Sequence, residues 1–232
     1  MKIIINKQGR KYLVEDKNVS LNEGSIKKVK LGKNKTHSGK IVYAINPLFV
    51  DLVKKIKKGP AIVLNKDIGL IITDTGINKN SVVLDAGAGS GYLSSYLANI
   101  CKKVITYENR KEFLKIAKKN FEFLNLKNIE IKQKDIYKGI SEKNLDLITL
   151  DLMEPWKVLK HASKALKIGG FLICYLPTIN QVIKLIKNIK EPFMIIKTSE
   201  VIERKWITDQ RIRPESRLIG HTGFLIFLRK VC

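Results

Sequence analysis

Along this chain the hydrophobic residues change rhythm once. Over the first sixty residues they come as short β-like runs, 2–6, 12–15 and 40–45, in polar sequence punctuated by Gly9, Gly24, Gly32 and Gly39. Short apolar runs between turn residues predict a small β-rich domain over 1–60, closed by the Gly59-Pro60 pair. Asn65-Lys66-Asp67 then supplies a helix start for 68–75. From Ser81 onward, aliphatic runs at 82–85, 104–108, 129–132, 145–151 and 171–176 alternate with helical stretches. Such runs predict parallel strands covered on both faces. Phe113, Ala117, Phe121 and Leu124 recur at helical spacing, as do Ile179, Val182, Ile183, Ile186 and Ile189, each stripe opposed by lysines. Both stripes read as core faces. Beyond them, 193–204 and 223–230 read as extended segments joined by an Arg-rich connection. Two strands closing a sheet of five parallel members predict an α/β, Rossmann-like sheet of seven strands over 61–232, ending in an antiparallel pair. A pure dinucleotide-binding fold would instead continue as βαβ.

Composition adds a partner. Hydrophobic residues make up 44% and charged residues 28%, as in a globular chain. Forty-four Lys and Arg against 21 Asp and Glu leave a net charge of +23, which favours a polyanionic partner, nucleic acid first. The lysines are spread over the whole length, so the charge alone also fits a uniformly solvated coat. No apolar run approaches the ~18 residues of a membrane span, and no leader pattern opens the chain, so a cytoplasmic protein is expected. Cys101, Cys174 and Cys232 lack the close pairing of a zinc or redox motif, and no metal site is expected.

The most informative segment runs from Val83 through Asp85, Gly87, Gly89, Ser90 and Gly91 to Tyr92 and Leu93. A strand entering a glycine-rich turn that opens a helix lets backbone pass within contact distance of a ligand. The dinucleotide fingerprint needs glycine at position 92, where this chain has Tyr92. An acidic residue at the strand end repels a pyrophosphate but can receive the ammonium of a methionine moiety, directly or through water. S-adenosylmethionine therefore fits better than NAD. Glu108 ends the second strand, where it can accept from both ribose hydroxyls. Asp135 follows the third, placed to accept from the adenine amine while Ile136 packs on the ring. All three carboxylates fall at carboxyl ends of strands, where open α/β sheets bind ligands.

The fourth strand ends at Asp151, followed by Glu154-Pro155-Trp156. A carboxylate there lies beside the methyl donor, where it can accept from the exocyclic amine of an adenine, orient the base, and stabilise the charge that grows as N1 is alkylated. Asp151 is thus the candidate catalytic residue. Tyr92 and Tyr175 are candidates for stacking on the target base or for lining the cofactor pocket. Arg217, with Arg204, Arg211 and Arg213, is a candidate phosphate contact. His221 reads either as a substrate group or as a satisfied loop histidine.

At these residues the chain resembles the tRNA adenine-N1 methyltransferases that modify the T-loop. The matching pieces are 36–41 in the β module, Lys66-Asp67-Ile68-Gly69, the glycine turn, Tyr107-Glu108, 150–156, Tyr175 to Val182, and Arg217 to Leu225. The Glu-Pro-Trp and Gly-His-Thr-Gly-Phe-Leu segments are the particular ones. The resemblance implies a class I methyltransferase fold, N1-methyladenosine at position 58 and in archaeal members also 57, Asp151 as the catalytic aspartate, and a homotetramer. Two features depart from it: Leu64 and Asn65 stand where the family often has Tyr-Pro, and Asp85 where Glu is frequent. The competing expectations are methylation of another RNA and a non-catalytic RNA-binding subunit of a methyltransferase assembly.

Overall fold

The computed structural model describes every residue except Pro60, Asp209 and Gln210. The Pro60 half of the expected Gly59-Pro60 boundary therefore lies outside the described residues. The chain divides into two compact units, Met1–Ile56 and Lys57–Cys232.

The first unit holds β1 (Lys2–Ile5), β2 (Lys11–Val14), β3 (Lys17–Leu21), β4 (Gly24–Lys28), β5 (Gly32–Lys35), β6 (Ile41–Ile45) and the short α1 (Phe49–Leu52). An antiparallel sheet ordered β2-β1-β6-β5 is accompanied by the β3-β4 hairpin. Ile4, Val19, Ile26, Val29, Val42 and Ala44 form the core. The hydrophobic pattern reveals only β1, β2 and β6. The other three strands bury one residue each, Val19, Ile26 and Asn34, too few to set up a period. Asn34 is buried because its amide is satisfied, donating to the Lys30 and Gly32 carbonyls and accepting from the Lys30 N–H.

The second unit begins with α2 (Asn65–Thr75). There follow β7 (Val82–Ala86), α3 (Tyr92–Ala98), β8 (Lys103–Tyr107), α4 (Lys111–Phe123), β9 (Ile129–Lys132), β10 (Leu145–Leu150), α5 (Leu159–Ala165), β11 (Leu166–Leu176) and α6 (Ile179–Asn188). Four strands complete it: β12 (Phe193–Ser199), the pair β13 (Trp206–Ile207) and β14 (Arg213–Pro214), and β15 (Phe224–Lys230). The seven-stranded sheet is ordered β12-β15-β11-β10-β7-β8-β9. Strands β7 to β11 are mutually parallel, while β15 runs antiparallel to both β11 and β12 and inserts between them. The expected mixed sheet is present.

Three local expectations are revised. The fifth strand starts at Leu166, earlier than its apolar run, because Gly169 and Gly170 kink it against β10. A Cβ at Gly170 would stand 3.0 Å from the carbonyl oxygens of Leu145 and Lys167, so the backbones meet where only glycine fits. The extended run expected to Arg204 ends at Ser199, and the Arg-rich connection contains the unforeseen β13-β14 pair. The stripe on α6 is not wholly core: Val182 and Leu185 are buried, whereas Ile179, Ile183 and Ile186 are exposed. That helix covers the sheet with a narrower face than its apolar stripe. No helix among the described residues is long and apolar enough to cross a membrane.

Candidate active site

The carboxyl ends of β7, β8, β9 and β10 open onto a cleft of about 630 Å³ within the second unit. Of the residues read from the sequence, Gly87, Gly89, Glu108, Asp135, Ile136 and Asp151 line it. The cleft adds Arg110, Phe113, Lys134, Tyr137, Met153, Glu154 and Gln181, which the sequence reading did not name as site residues.

The glycine turn makes the floor. A Cβ at Gly87 would lie 3.8 Å from a Glu108 carboxylate oxygen, from the Asp151 carbonyl and from Leu152, filling the notch between the turn and the fourth strand. Its absence leaves a cradle for a ligand. Ser90 keeps a buried hydroxyl without a hydrogen-bond partner. Gly91 adopts φ +78°, the left-handed conformation that starts α3, and its α-carbon packs on the ring of Phe121. Ser90, Gly91, Tyr92 and Leu93 are buried behind the lining and shape the turn from behind.

Asp85 also works from beneath. It is 1% exposed, and its oxygens accept from Thr149 at 2.6 Å, Thr106 at 3.3 Å and the Ser94 hydroxyl. Burial pushes its carboxyl above the usual range, opposed by those three hydroxyls. The expected contact between Asp85 and a methionine ammonium is therefore corrected to an internal tie joining β7, β8, β10 and α3. The sequence could not locate the three hydroxyls that meet it, because they come from distant segments.

Glu108 faces the cleft from just past β8. One oxygen accepts the Gly89 N–H at 2.9 Å, and the other accepts the backbone and Nε of Arg110 at 3.0 and 3.1 Å. Burial acts to raise its pKa, but the Arg110 and Gly89 donors outweigh it and hold the carboxyl below its usual value. Glu108 is thus an ionised acceptor. Arg110, stacked 4.0 Å over the Phe113 ring, forms one wall. Asp135 caps the turn at 136–138 through the Tyr137 N–H at 3.0 Å, and Ile136 packs behind it. An ionised acceptor, a carboxylate beside an aliphatic surface and a side-chain-free turn suit a nucleoside with a charged tail, which is the chemistry of S-adenosylmethionine.

Asp151 follows β10, its N–H donated to the Ala86 carbonyl at 2.7 Å. Its side chain opens to the cleft, yet it sits low among protein atoms. That enclosure, with Asp85 behind it, pushes its pKa up to about 6, while Arg110 works the other way. A carboxylate poised there can change protonation near neutrality. The following loop is fixed by the Glu154 N–H on the Tyr137 hydroxyl at 3.2 Å and by Gln181 Nε2 on the Met153 carbonyl at 3.1 Å.

The remaining candidates separate. Tyr92 is buried, its hydroxyl donates to Asn65 Oδ1 at 2.9 Å, and it does not line the cleft, so the expectation that it stacks on a base is corrected. Asn65, one of the departures from the family pattern, supplies that anchor. Tyr175 is half-buried near the end of β11 and does not line the cleft, but the pairing of Leu150 with Cys174 sets it next to the position of Asp151. His221 donates through Nε2 to the Pro177 carbonyl at 2.9 Å and pairs through Nδ1 with Glu200 at 2.7 Å, its ring against Phe224. Glu200 raises its pKa, and with both ring nitrogens engaged it stands as a satisfied loop histidine. Arg217 is exposed and outside the cleft. Among the described residues, no group of three or more His, Cys, Asp or Glu is placed to hold a metal ion.

Comparison with known proteins places this geometry. The chain is 37% identical to the tRNA (adenine(57)-N(1)/adenine(58)-N(1))-methyltransferase TrmI of Methanocaldococcus jannaschii, across 98% of this chain and 94% of that one. Among solved structures it superposes on the tRNA (m1A58) methyltransferase TrmI of Aquifex aeolicus with a TM-score of 0.85 and 28% identity, covering 100% of this chain and 96% of that one. A SAM-dependent O-methyltransferase from Thermotoga maritima matches with a TM-score of 0.88 and 31% identity, covering 100% and 92%. The family described as the tRNA methyltransferase complex GCD14 subunit matches residues 40–212. With its glycine turn, strand-end carboxylates and seven-stranded sheet, the chain belongs to that family of tRNA methyltransferases.

Proposed function

We propose that this chain uses S-adenosylmethionine to methylate N1 of adenine in the T-loop of tRNA, at position 58 and, by analogy with the name of the archaeal relative, also at position 57. The observation that carries the reading is Asp151, a carboxylate at the end of β10 on the same cleft as the glycine turn and Glu108. S-adenosylmethionine supplies an electrophilic methyl group on a sulfonium. Gly87 and Gly89 let the backbone approach it, Glu108 accepts from the ribose, and Asp135 with Ile136 receives the adenine. Asp151 accepts a hydrogen bond from the exocyclic amine of the target base, which aims N1 at the methyl and offsets the positive charge that develops there. Tyr175, next to Asp151 by the pairing of β10 with β11 and two residues before Pro177 of the lining, would meet the base at the edge of the cleft, and His221 holds the loop beside it.

The +23 charge draws the polyanion in, and Arg217 with its arginine neighbours contacts phosphates. We place the reaction in the cytoplasm. The exposed Ile183 and Ile186 of α6 and the exposed Met194, Ile195 and Ile196 of the edge strand β12 are apolar positions that assembly of copies into a homotetramer would cover. A degenerate, RNA-binding subunit has no need of Glu108, Asp135 and Asp151 together, which favours the enzyme.

The direct test incubates the purified protein with unmodified tRNA and methyl-labelled S-adenosylmethionine, followed by nucleoside analysis. Label in 1-methyladenosine is the expected result. Label in another nucleoside, or a methyl ether, would transfer the reading to a different acceptor atom.

A further inference from the structure

A second polar cluster lies at the rim of the second unit, between the start of α2 and the turn before β15. Lys66 Nζ donates to Asp67 Oδ1 at 2.8 Å and to the Thr222 hydroxyl at 2.6 Å, and Thr222 in turn donates to Asp67 Oδ2 at 3.0 Å. Asp67 is fully buried and the Lys66 side chain is 7% exposed. Each group in the triangle is satisfied by the other two, although 155 residues separate Asp67 from Thr222. A buried ion pair carries a desolvation cost that a purely structural contact between two apolar side chains would avoid. What the triangle holds therefore matters.

It holds Tyr175. Thr222 adjoins Gly223, which packs on the hydroxyl-bearing end of the Tyr175 ring, and β11 pairs with β10 so that Cys174 stands opposite Leu150 and Tyr175 follows next to the position of Asp151. A Cβ at Gly223 would stand 2.6 Å from Cζ and 2.8 Å from Cε2, so the hydroxyl-bearing end of the ring packs on bare backbone. Burial acts to keep the phenol protonated. Tyr175 is thus held at the hydroxyl end of its ring by the Thr222-Gly223 turn, one residue before Leu176 ends β11 and two before Pro177 of the cleft lining.

We infer that Lys66, Asp67 and Thr222 are positioning residues that fix the Tyr175 ring beside Asp151, so that the target base is received in one orientation. This rests on the function proposed above. Thr222→Val removes the hydroxyl and keeps the shape. A misplaced aromatic wall spoils alignment more than it spoils cofactor binding, so turnover is expected to fall by roughly 10- to 100-fold. Affinity for S-adenosylmethionine should stay within about twofold, and Thr222→Ser should recover most of the turnover. Tyr175→Phe combined with Thr222→Val should lose little more than either alone, as coupled residues do.

A reading independent of substrate comes from fluorotyrosine labelling, with the Tyr175 resonance assigned by its disappearance in Tyr175→Phe. It should shift and broaden in Thr222→Val while the other tyrosine signals keep their positions. An unmoved Tyr175 signal would overturn the inference whatever the substrate proves to be. So would a Thr222→Val enzyme of wild-type turnover, or one in which turnover, cofactor affinity and melting temperature fall together with no rescue by Ser. Wild-type protein that leaves adenine N1 unmodified, but whose Tyr175 signal moves as expected, would sink the proposed reaction and leave the positioning network standing.

Discussion

Asp151 is the residue on which chemistry and titration meet. Its pKa of about 6 lies above the ordinary aspartate value because the protein atoms packed around it at the base of the cleft and Asp85 disfavour the charged form. The proposed role needs the carboxylate, which is present above pH 6 and is protonated as the pH falls through that value. kcat/KM should therefore level off above about pH 6 and decline about tenfold per unit below it. Asp151→Asn should remove that limb and reduce turnover by about 10²- to 10⁴-fold, with affinity for S-adenosylmethionine nearly unchanged. Stopped assays across pH 5 to 8 and calorimetric titration of the cofactor check both parts. Equal loss of affinity and turnover would make Asp151 a structural strand-end residue.

At the scale of elements, the turn between β7 and α3 sets the distance between floor and cofactor. Gly91 combines φ +78° with contact: an added Cβ would stand 2.5 Å from the Phe121 ring and 3.3 Å from Ala117. Phe121 is buried on α4 and cannot swing aside. Gly91→Ala should then cost about 2–4 kcal/mol, the sum of left-handed strain and overpacking, and lower the melting temperature by roughly 5–15 °C. Differential scanning calorimetry decides it; a shift of a degree or less would mean that the turn has another conformation available. The glycine spacing and the strand that feeds it were legible because both are local. Asp85 was legible as a residue at that strand's end but not as a buried one, since Ser94, Thr106 and Thr149, which occupy it, lie on three other elements.

For the whole molecule, the apolar surface of α6 and β12 is the feature that the monomer leaves unexplained. An edge strand whose Met194, Ile195 and Ile196 are all exposed, in a unit that also exposes Ile183 and Ile186 on α6, invites association. Ile183→Lys combined with Ile195→Lys should leave the circular dichroism spectrum unchanged while moving the sedimentation coefficient from that of an assembly to that of one 26.4 kDa chain. A wild-type protein that already sediments as a single chain would dispose of the homotetramer. The periodicity of α6 had suggested a face turned wholly inward. Periodicity reports that a stripe is apolar, and only the packing of the helix on the sheet tells which part of it the same chain covers.

Sequence by itself determined what depends on near neighbours: the alternation of buried strands and amphipathic helices, the glycine turn, and carboxylates at the ends of successive strands. Those features follow from steric freedom, periodicity and the direction in which parallel strands point, all of which are written within about ten residues. Tertiary structure decided what depends on groups far apart in the chain. It buried Asp85 and Tyr92, left Glu108 and Asp151 on the cleft, added Arg110 and Gln181 to its walls, and joined Lys66 and Asp67 to Thr222. A carboxylate's role is fixed by the donors and the dielectric around it, and those belong to the folded chain.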